Sequence, residues 1–447
     1  MGQSAIAENA RVIPPTVTGA ALPPVIILNM FYSGLGIARQ LYGTGVRVVG
    51  LSAHPGIYGS FTRLCEVRAA PNSQEQAHQL ADLLLRSASE LGGAIIFPTR
   101  DADLLFLDRF YADLAPLYRL AIPPRDVLDR VMNKAVLADV AMKVGVAVPR
   151  TTVVEGRSQL PSGAAFVGFP CVVKPVSSVH WRQGDSWKLV GGRKAFRADN
   201  LAELQREYDR ISRVRRDVLL QEWIPGETDQ IVVWGGYIRH GQEPLAFFTA
   251  RKRIQSPDEF GTGCVVESDR IPDLLEPSVR LCRALGYEGI AEIEYKRDAC
   301  KGTLKLVEMN ARHWDWHELG RASRVNLTWA AYCHLAGQSI RTGHRPVQRA
   351  KWIAEDALLM HTLESLSRAR FGEAKLRSAF GGECIYGMFA WNDPLPFLRY
   401  SLATLFPAVA GAALRKLSHR VSLTGRGRNS RRVESRDQAK SEFGTGE

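Results

Sequence analysis

The chain has 447 residues, 45% hydrophobic and 23% charged; this is the composition of a globular protein and more chain than one ordinary domain holds. The formal net charge is +12, but from Arg415 onward nine Lys/Arg face four acids, so the tail holds +5 of it and the body is only mildly basic. No basic stripe interleaved with aromatics suggests nucleic acid as a partner, and seven cysteines with no Cys-x-x-Cys pair argue for a reducing cytoplasm over a disulfide framework.

Residues 1–24 contain Pro14, Pro15, Pro23 and Pro24 and lack the apolar run of a secretory signal, so a flexible leader is expected. Ile6 stands where N-myristoylation needs Ser or Thr. VIILN (Val25–Asn29) then predicts a buried parallel strand, SGLG (Ser33–Gly36) a turn, IARQLYGTG a helix closed by glycine, and VRVVGLSA (Val46–Ala53) a second strand. A helix around 75–91 leads to AIIFPTRD (Ala94–Asp101), a third strand with a polar loop at its C-terminal end. This alternation predicts a doubly wound α/β domain over 25–125. SGLGIAR departs from a dinucleotide fingerprint: Arg39 occupies the third glycine position, and Leu51-Ser52-Ala53 brings no acid for a ribose. A tight turn belonging to a substrate site is expected instead, with Ser33 and Thr99 at its border, because ligands of open α/β sheets sit beyond the strand C-termini.

RDVLDRVMNKAVLADVAMKVGVAVP (Arg125–Pro149) predicts a helix stopped by Gly145. FPCVVKP (Phe169–Pro175) and VLLQEWIPG (Val218–Gly226) read as buried strands ending in turns, and QIVVWGGYI with PLAFFTARKRI as a strand pair. A helix follows at about 275–285, then GIAEIEYKRD and TLKLVEMNAR, two strands joined by a tight turn. Residues 346–414 are expected to be a partly helical region and 415–447 a basic, disordered tail. No apolar run reaches the ~18–20 residues of a membrane span.

The last hairpin carries the chemistry. Residues two apart on a strand share a face, so Glu292 and Glu294 point one way, as do Glu308, Asn310 and Arg312. If the turn centres near Lys301, Glu294 lies opposite Glu308 and Glu292 opposite Asn310, at about 4.5–5.5 Å. Like charges so placed repel, and each partly desolvated carboxylate is costly. A divalent cation removes the objection, and Mg²⁺ is usually held by one or two carboxylates together with substrate phosphates. A solvent-exposed polar face is the alternative; it accounts poorly for Glu and Asn following Leu304 and Leu306. Glu294, Glu308 and Asn310 are therefore the candidate metal ligands.

The order FPCVVKP, QEWIPGE, EIEY…KLVEMNAR resembles the ATP-grasp superfamily. With ARKRIQSPDEFGTG and GYEGIAEIEYKRD it looks like the carboligase-like branch related to biotin carboxylase and D-aspartate ligase, over roughly residues 25–340. The resemblance implies an α/β and α+β chain. A Rossmann-like pre-ATP-grasp domain would occupy 25–125 and a two-subdomain ATP-grasp domain 126–345, its lid subdomain at about 150–225 and its C-terminal subdomain at about 226–345, with the helical region 346–414 after them. It implies a ligase that uses ATP and Mg²⁺ (Mn²⁺ as a substitute) to activate a carboxylate as an acyl phosphate and join it to an amine, releasing ADP and phosphate. Such chemistry asks the protein for positioning and charge neutralisation.

Carried over by motif, Lys174 in VVKP and Lys134 in MNKAVL would contact the nucleotide, Lys252 (or Arg251 or Arg253) the γ-phosphate, and Arg312 the reacting acyl group. Gln221, Glu222, Trp223 and Ile224 match the adenine hinge, and Glu227 the ribose contact, with Asp229 its rival. Gln221 departs from the pattern, since many members carry an acid there. Ser177–Gly192 suits a mobile lid whose N–H groups meet phosphates; its His180, Trp181 and Trp187 are bulkier than a minimal glycine lid. By the same resemblance His313, Trp314, Asp315, Trp316 and His317 fall on the loop facing the substrate, with His313 and His317 the candidates for substrate recognition and structural hydrogen bonding the alternative; a zinc site there lacks a third ligand.

Two other functions fit the same motifs. One is carboxyphosphate chemistry of the biotin-carboxylase or carbamoyl-phosphate type, although no biotin-carrier segment is present; the other is an ATP-binding module without catalysis. The expected partners are a small-molecule carboxylate and an amine. PLPFLRYSLATLFPAVAGAALRKLSHR joins an apolar segment to a basic one, which suits peripheral contact with the inner membrane face or a buried helix broken at Pro407. The sequence does not set the oligomeric state or the substrates' identities.

Overall fold

A computed structural model describes residues 22–177, 181, 185–239, 241–339, 349–367, 379–407 and 410–411. Most of the leader, His180 and the basic tail lie outside the described residues.

The first unit is a five-stranded sheet of β1 (Val25–Leu28), β2 (Val48–Ser52), β3 (Glu66–Ala69), β4 (Ile95–Phe97) and β5 (Arg119–Leu120), in the order β3-β2-β1-β4-β5 and parallel throughout. β1, β2 and β4 are buried from end to end, as continuous apolar runs under helices on both faces should be. β3 escapes the sequence pattern because its EVRA is a polar edge strand.

SGLG is not a turn. It lies inside the helix Tyr32–Leu41. Its glycines answer to packing: a Cβ on Gly34 would stand 2.1 Å from Asn29 O, and one on Gly36 2.7 Å from His317 Cε1. At the C-terminal end of the sheet the buried Asp103 accepts hydrogen bonds from Asn29 Nδ2 (2.9 Å), Ser73 Oγ (2.6 Å) and Arg100 N (3.0 Å). Thr99 Oγ1 donates to Leu28 O (2.7 Å). The loop at 99–101 is thereby fixed.

The long helix expected from Arg125 to its stop at Gly145 is two helices, Arg125–Met132 and Lys134–Lys143. Asn133 breaks them and caps the second, accepting from Ala135 N (3.1 Å) and Val136 N (3.2 Å). Lys134 therefore sits on the first turn of a new helix.

The second sheet is four-stranded and antiparallel, in the order β6-β9-β7-β8, from β6 (Thr151–Val154), β7 (Cys171–Pro175), β8 (Phe196–Ala198) and β9 (Val218–Glu222). Trp181 is buried in this unit's own core against Phe196.

The third sheet has seven strands, β14-β13-β10-β11-β12-β15-β16. They are β10 (Ile231–Ile238), β11 (Pro244–Ser256), β12 (Thr262–Ser268), β13 (Gly289–Arg297), β14 (Leu304–Asn310), β15 (Ala350–Ile353) and β16 (Glu383–Tyr386). The helix expected at 275–285 is Leu275–Leu285, ended by Gly286 in the left-handed conformation. β15 and β16 are strands within the region expected to be partly helical; β15 adds to β12, and β16 runs parallel to it. The stretch between them includes the helix Glu355–Ser367.

The final described segment returns to the first unit. Arg39 donates to the carbonyls of Tyr386 (3.0 Å), Gly387 (3.0 Å) and Met388 (2.6 Å). Asp393 accepts from Thr62 Oγ1 (2.5 Å) and Arg63 N (3.1 Å). Tyr32 donates its hydroxyl to Asp356 (2.5 Å). Among the described residues no helix is long and apolar enough to cross a membrane.

Candidate active site

The three sheets meet around a cavity of about 810 Å³. On its central wall the register of β13 against β14 pairs Glu294 with Glu308 and Glu292 with Asn310, the pairs expected from the sequence. A register shift between Glu294 and Tyr295 sets this pairing, because nearer the turn the partners are Tyr295 with Leu306 and Arg297 with Leu304. All four side chains line the cavity.

Each opposed carboxylate is held by a lysine from elsewhere. Lys134 reaches Glu308 from its helix, and Lys252 reaches Glu294 from β11, across the intervening β10. Enclosure works against ionisation of Glu308, but Lys134, and then Lys174, hold its carboxyl well below the usual carboxylate range. Burial likewise works against the charge of Lys252, and Glu294 and Glu292 raise its pKa regardless. Glu292 differs: burial and the charge of Glu294 push it up to about 8, while it accepts a hydrogen bond from Asn310 Nδ2 (2.8 Å). Near neutrality it is a protonated carboxyl. Lys174, buried on β7, is lowered to about 7 by burial and by Lys134. The wall thus concentrates three amines and three carboxyls within one cavity.

Beyond Asn310, Arg312 donates through Nε to Asp101 Oδ1 (2.7 Å), and its other nitrogens to His313 O (3.1 Å) and Asn310 Oδ1 (3.4 Å). Asp101, Asn310 and the backbone fix the guanidinium with its fork at the cavity. The surrounding wall is Thr99, Arg100, Trp314, Asp315 and Trp316, with His361, Thr362 and Ser365 of the helix Glu355–Ser367.

At the other end lie Gln221, Glu222, Trp223, Ile224 and Glu227, over an apolar floor of Val172, Ile231, Ile254 and Val307. Glu222 N donates to Arg150 O (2.8 Å) and Trp223 N to Pro170 O (3.3 Å), so these two hinge N–H groups serve the fold. The Glu222 carboxylate accepts from Lys305 Nζ (3.1 Å) and Arg150 N (3.0 Å). The Trp223 ring is covered by Arg197 Cζ at 4.7 Å and Lys296 Nζ at 4.8 Å.

The structure brings Lys134, Lys174, Lys252, Glu294, Glu308, Asn310, Arg312, Gln221, Glu222, Trp223, Ile224, Glu227 and Thr99 to this one cavity. It does not bring His313, His317 or Ser33 to the lining. Both histidines are fully buried with their rings 4.8 Å apart. His313 Nε2 lies 2.9 Å from Thr328 Oγ1, and His317 Nδ1 lies 2.7 Å from Trp314 O. Burial lowers both pKa values, so they are neutral packing groups that brace the loop. Ser33 supports the wall indirectly, its Oγ donating to Asp315 Oδ1 (3.2 Å). Among the described residues no three His, Cys, Asp or Glu side chains gather as a metal centre, and zinc finds no third ligand beside the histidines. The lining residues to which the sequence assigns no role are Asp101, Lys194 and, on the helix Glu355–Ser367, His361, Thr362 and Ser365. None stands in a motif, and only the fold brings them to the wall.

No family model matches the chain. It is 26% identical over 186 residues to the D-alanine–D-alanine ligase of Pseudomonas putida, covering 40% of this chain and 54% of that protein. It is 23% identical over 198 residues to the D-aspartate ligase of Enterococcus faecium, covering 42% of this chain and 45% of that one. The matches thus span about half the length of these relatives. Among solved structures, the biotin carboxylase domain of the Hydrogenobacter thermophilus 2-oxoglutarate carboxylase, in complex with MgADP, ADP and bicarbonate, superposes with a TM-score of 0.59 at 17% identity, over 74% of this chain and 73% of that one. The fold is ATP-grasp.

Proposed function

We propose that the chain is an ATP-dependent, ADP-forming carboxylate–amine ligase. The observation that carries this reading is the register pair Glu294–Glu308, flanked by Asn310 and crowded by Lys134, Lys174 and Lys252, with Arg312 fixed at one end of the cavity and an apolar hinge at the other. The donor set is two carboxylates and an amide, all oxygen, which suits Mg²⁺ or Mn²⁺ and not a soft metal. Glu294, Glu308 and Asn310 would hold that ion, and it would supply neutralisation of triphosphate charge. Lys134 and Lys174 would hold phosphate oxygens, and Lys252, kept charged by Glu294, the transferring phosphoryl group. Arg312, which Asp101 and Asn310 orient beforehand, would stabilise negative charge on the activated carboxylate. Ile224 and the apolar floor would take the adenine, and Glu227 the ribose.

The amine would enter past Arg312. Asp315 lines that end, accepts the Ser33 hydroxyl, and forms no ion pair with the described residues. With Trp314 and Trp316 beside it, it suits the ammonium group of an acceptor. Mg-ATP with a panel of amino acids tests the reading through release of ADP. Substrate-stimulated release supports it, bicarbonate-dependent release alone replaces it with carboxyphosphate chemistry, and ATP binding without cleavage reduces the protein to a binding module.

We also propose a reducing, cytoplasmic setting, which the seven free cysteines support, and peripheral membrane contact through the C-terminal region.

A further inference from the structure

The segment 395–407 is helical throughout, an α-helix Leu395–Tyr400 running into a π-helix Ser401–Leu405 and one more short stretch. One face packs on the first domain. Tyr400 meets Tyr58 edge-on at 5.3 Å, Phe397 meets Phe389 at 5.9 Å, and Ser401 and Leu405 are buried. The opposite face carries Leu398 (46% exposed), Leu402 (68%) and Phe406 (55%), spaced by four and therefore stacked along one side. Trp391 is 91% exposed and leans on Phe389 at 5.0 Å, which extends the apolar surface past the start of the helix. Scattered exposed apolar residues need no explanation, but a helix stripe with a nearly bare tryptophan marks an interaction surface.

We propose that this face, Trp391, Leu398, Leu402 and Phe406, docks on an anionic lipid surface. The inference rests on the peripheral-contact reading above and is independent of the ligase chemistry. Charge decides the partner. The chain that follows the helix carries nine Lys/Arg against four acids from Arg415 onward, beginning nine positions past Phe406. An apolar face with a basic neighbour is complementary to an anionic bilayer, where the rings enter the interface and the cations meet headgroups. A second copy seated on the same face would instead bring two such basic tails together.

The test is vesicle flotation of the full chain. Wild type is expected to bind phosphatidylcholine vesicles containing about 30% phosphatidylglycerol, bind neutral vesicles poorly, and lose binding in about 0.5 M salt. Leu402→Glu with Phe406→Glu, both exposed and outside the cavity, should reduce binding about tenfold or more and leave ADP release unchanged. If wild type binds neither vesicle, peripheral contact itself is overturned. If it binds and the double variant binds equally, contact stands and this face is wrong. If light scattering shows a dimer that the double variant converts to monomer without any vesicle binding, the face belongs to a second copy and the lipid proposal falls. None of these outcomes bears on the ligase reading, which the ADP assay decides alone.

Discussion

Glu294 and Glu308 face each other across neighbouring antiparallel strands, and a different lysine holds each one, Lys252 from β11 and Lys134 from the helix Lys134–Lys143. The two carboxylates are neutralised by groups that a metal–triphosphate would have to share or displace. Glu308→Gln removes one charge and keeps the shape. ADP release should fall about 100-fold or more, while circular dichroism stays native. Unchanged turnover would remove Glu308 from the site.

Lys174 is a buried amine whose pKa is lowered to about 7 by burial and Lys134. An unfolded lysine keeps its ordinary, higher value, so between the two values the unfolded chain binds the proton and the folded chain does not. Stability from this residue is therefore present at high pH and is lost as pH falls toward 7. Nucleotide-free wild type should gain melting temperature from pH 7 to 9 relative to Lys174→Met. The variant should also bind ATP about tenfold or more weakly, as loss of a charged hydrogen bond implies. Parallel pH profiles for the two proteins would refute the assignment.

Arg312→Lys keeps the charge and loses the fork that spans Asp101, His313 O and Asn310. The expected effect is a fall in kcat of about 10–100-fold with little change in KM for ATP. An equal rise in KM for ATP would place Arg312 on the nucleotide.

Asp315→Asn should raise KM for the amine about tenfold or more, the cost of one charged hydrogen bond, and leave KM for ATP unaltered. A change confined to ATP would disprove the ammonium role.

Gly36→Ala would set a Cβ 2.7 Å from the His317 ring, which is buried and has no room to move. Chemical denaturation should show a loss of about 1–3 kcal/mol, with weaker activity through the displaced Trp314–Trp316 loop.

The hairpin was legible because strand periodicity and one turn bring Glu292, Glu294, Glu308 and Asn310 together, although the final pairing of Glu294 with Glu308 also depends on a register shift beside Tyr295 that no local pattern announces. The buried strands β1, β2, β7 and β9 were legible as apolar runs for the same local reason. SGLG was misjudged because glycine signals a turn only when the backbone needs its freedom, and here Gly34 and Gly36 yield space to Asn29 and His317. His313 and His317 stood in a polar cluster beside Arg312, yet the loop turns them inward and exposes Trp314, Asp315 and Trp316 to the cavity. β15 and β16 are four residues each and gain their identity from the strand beside them.

The bonds from Arg39 to residues 386–388, from Tyr32 to Asp356 and from Thr62 to Asp393 join positions more than 320 apart in sequence. On a ribosome the first domain must therefore wait, with Tyr58 and Leu35 uncovered, until Met388 has emerged. Contacts of such high order form slowly and leave sticky intermediates. Expression yield should thus be governed by the closing stretch of translation, and a stalled or prematurely stopped message should yield aggregated product even when every cavity-lining residue up to Arg312 has already been made.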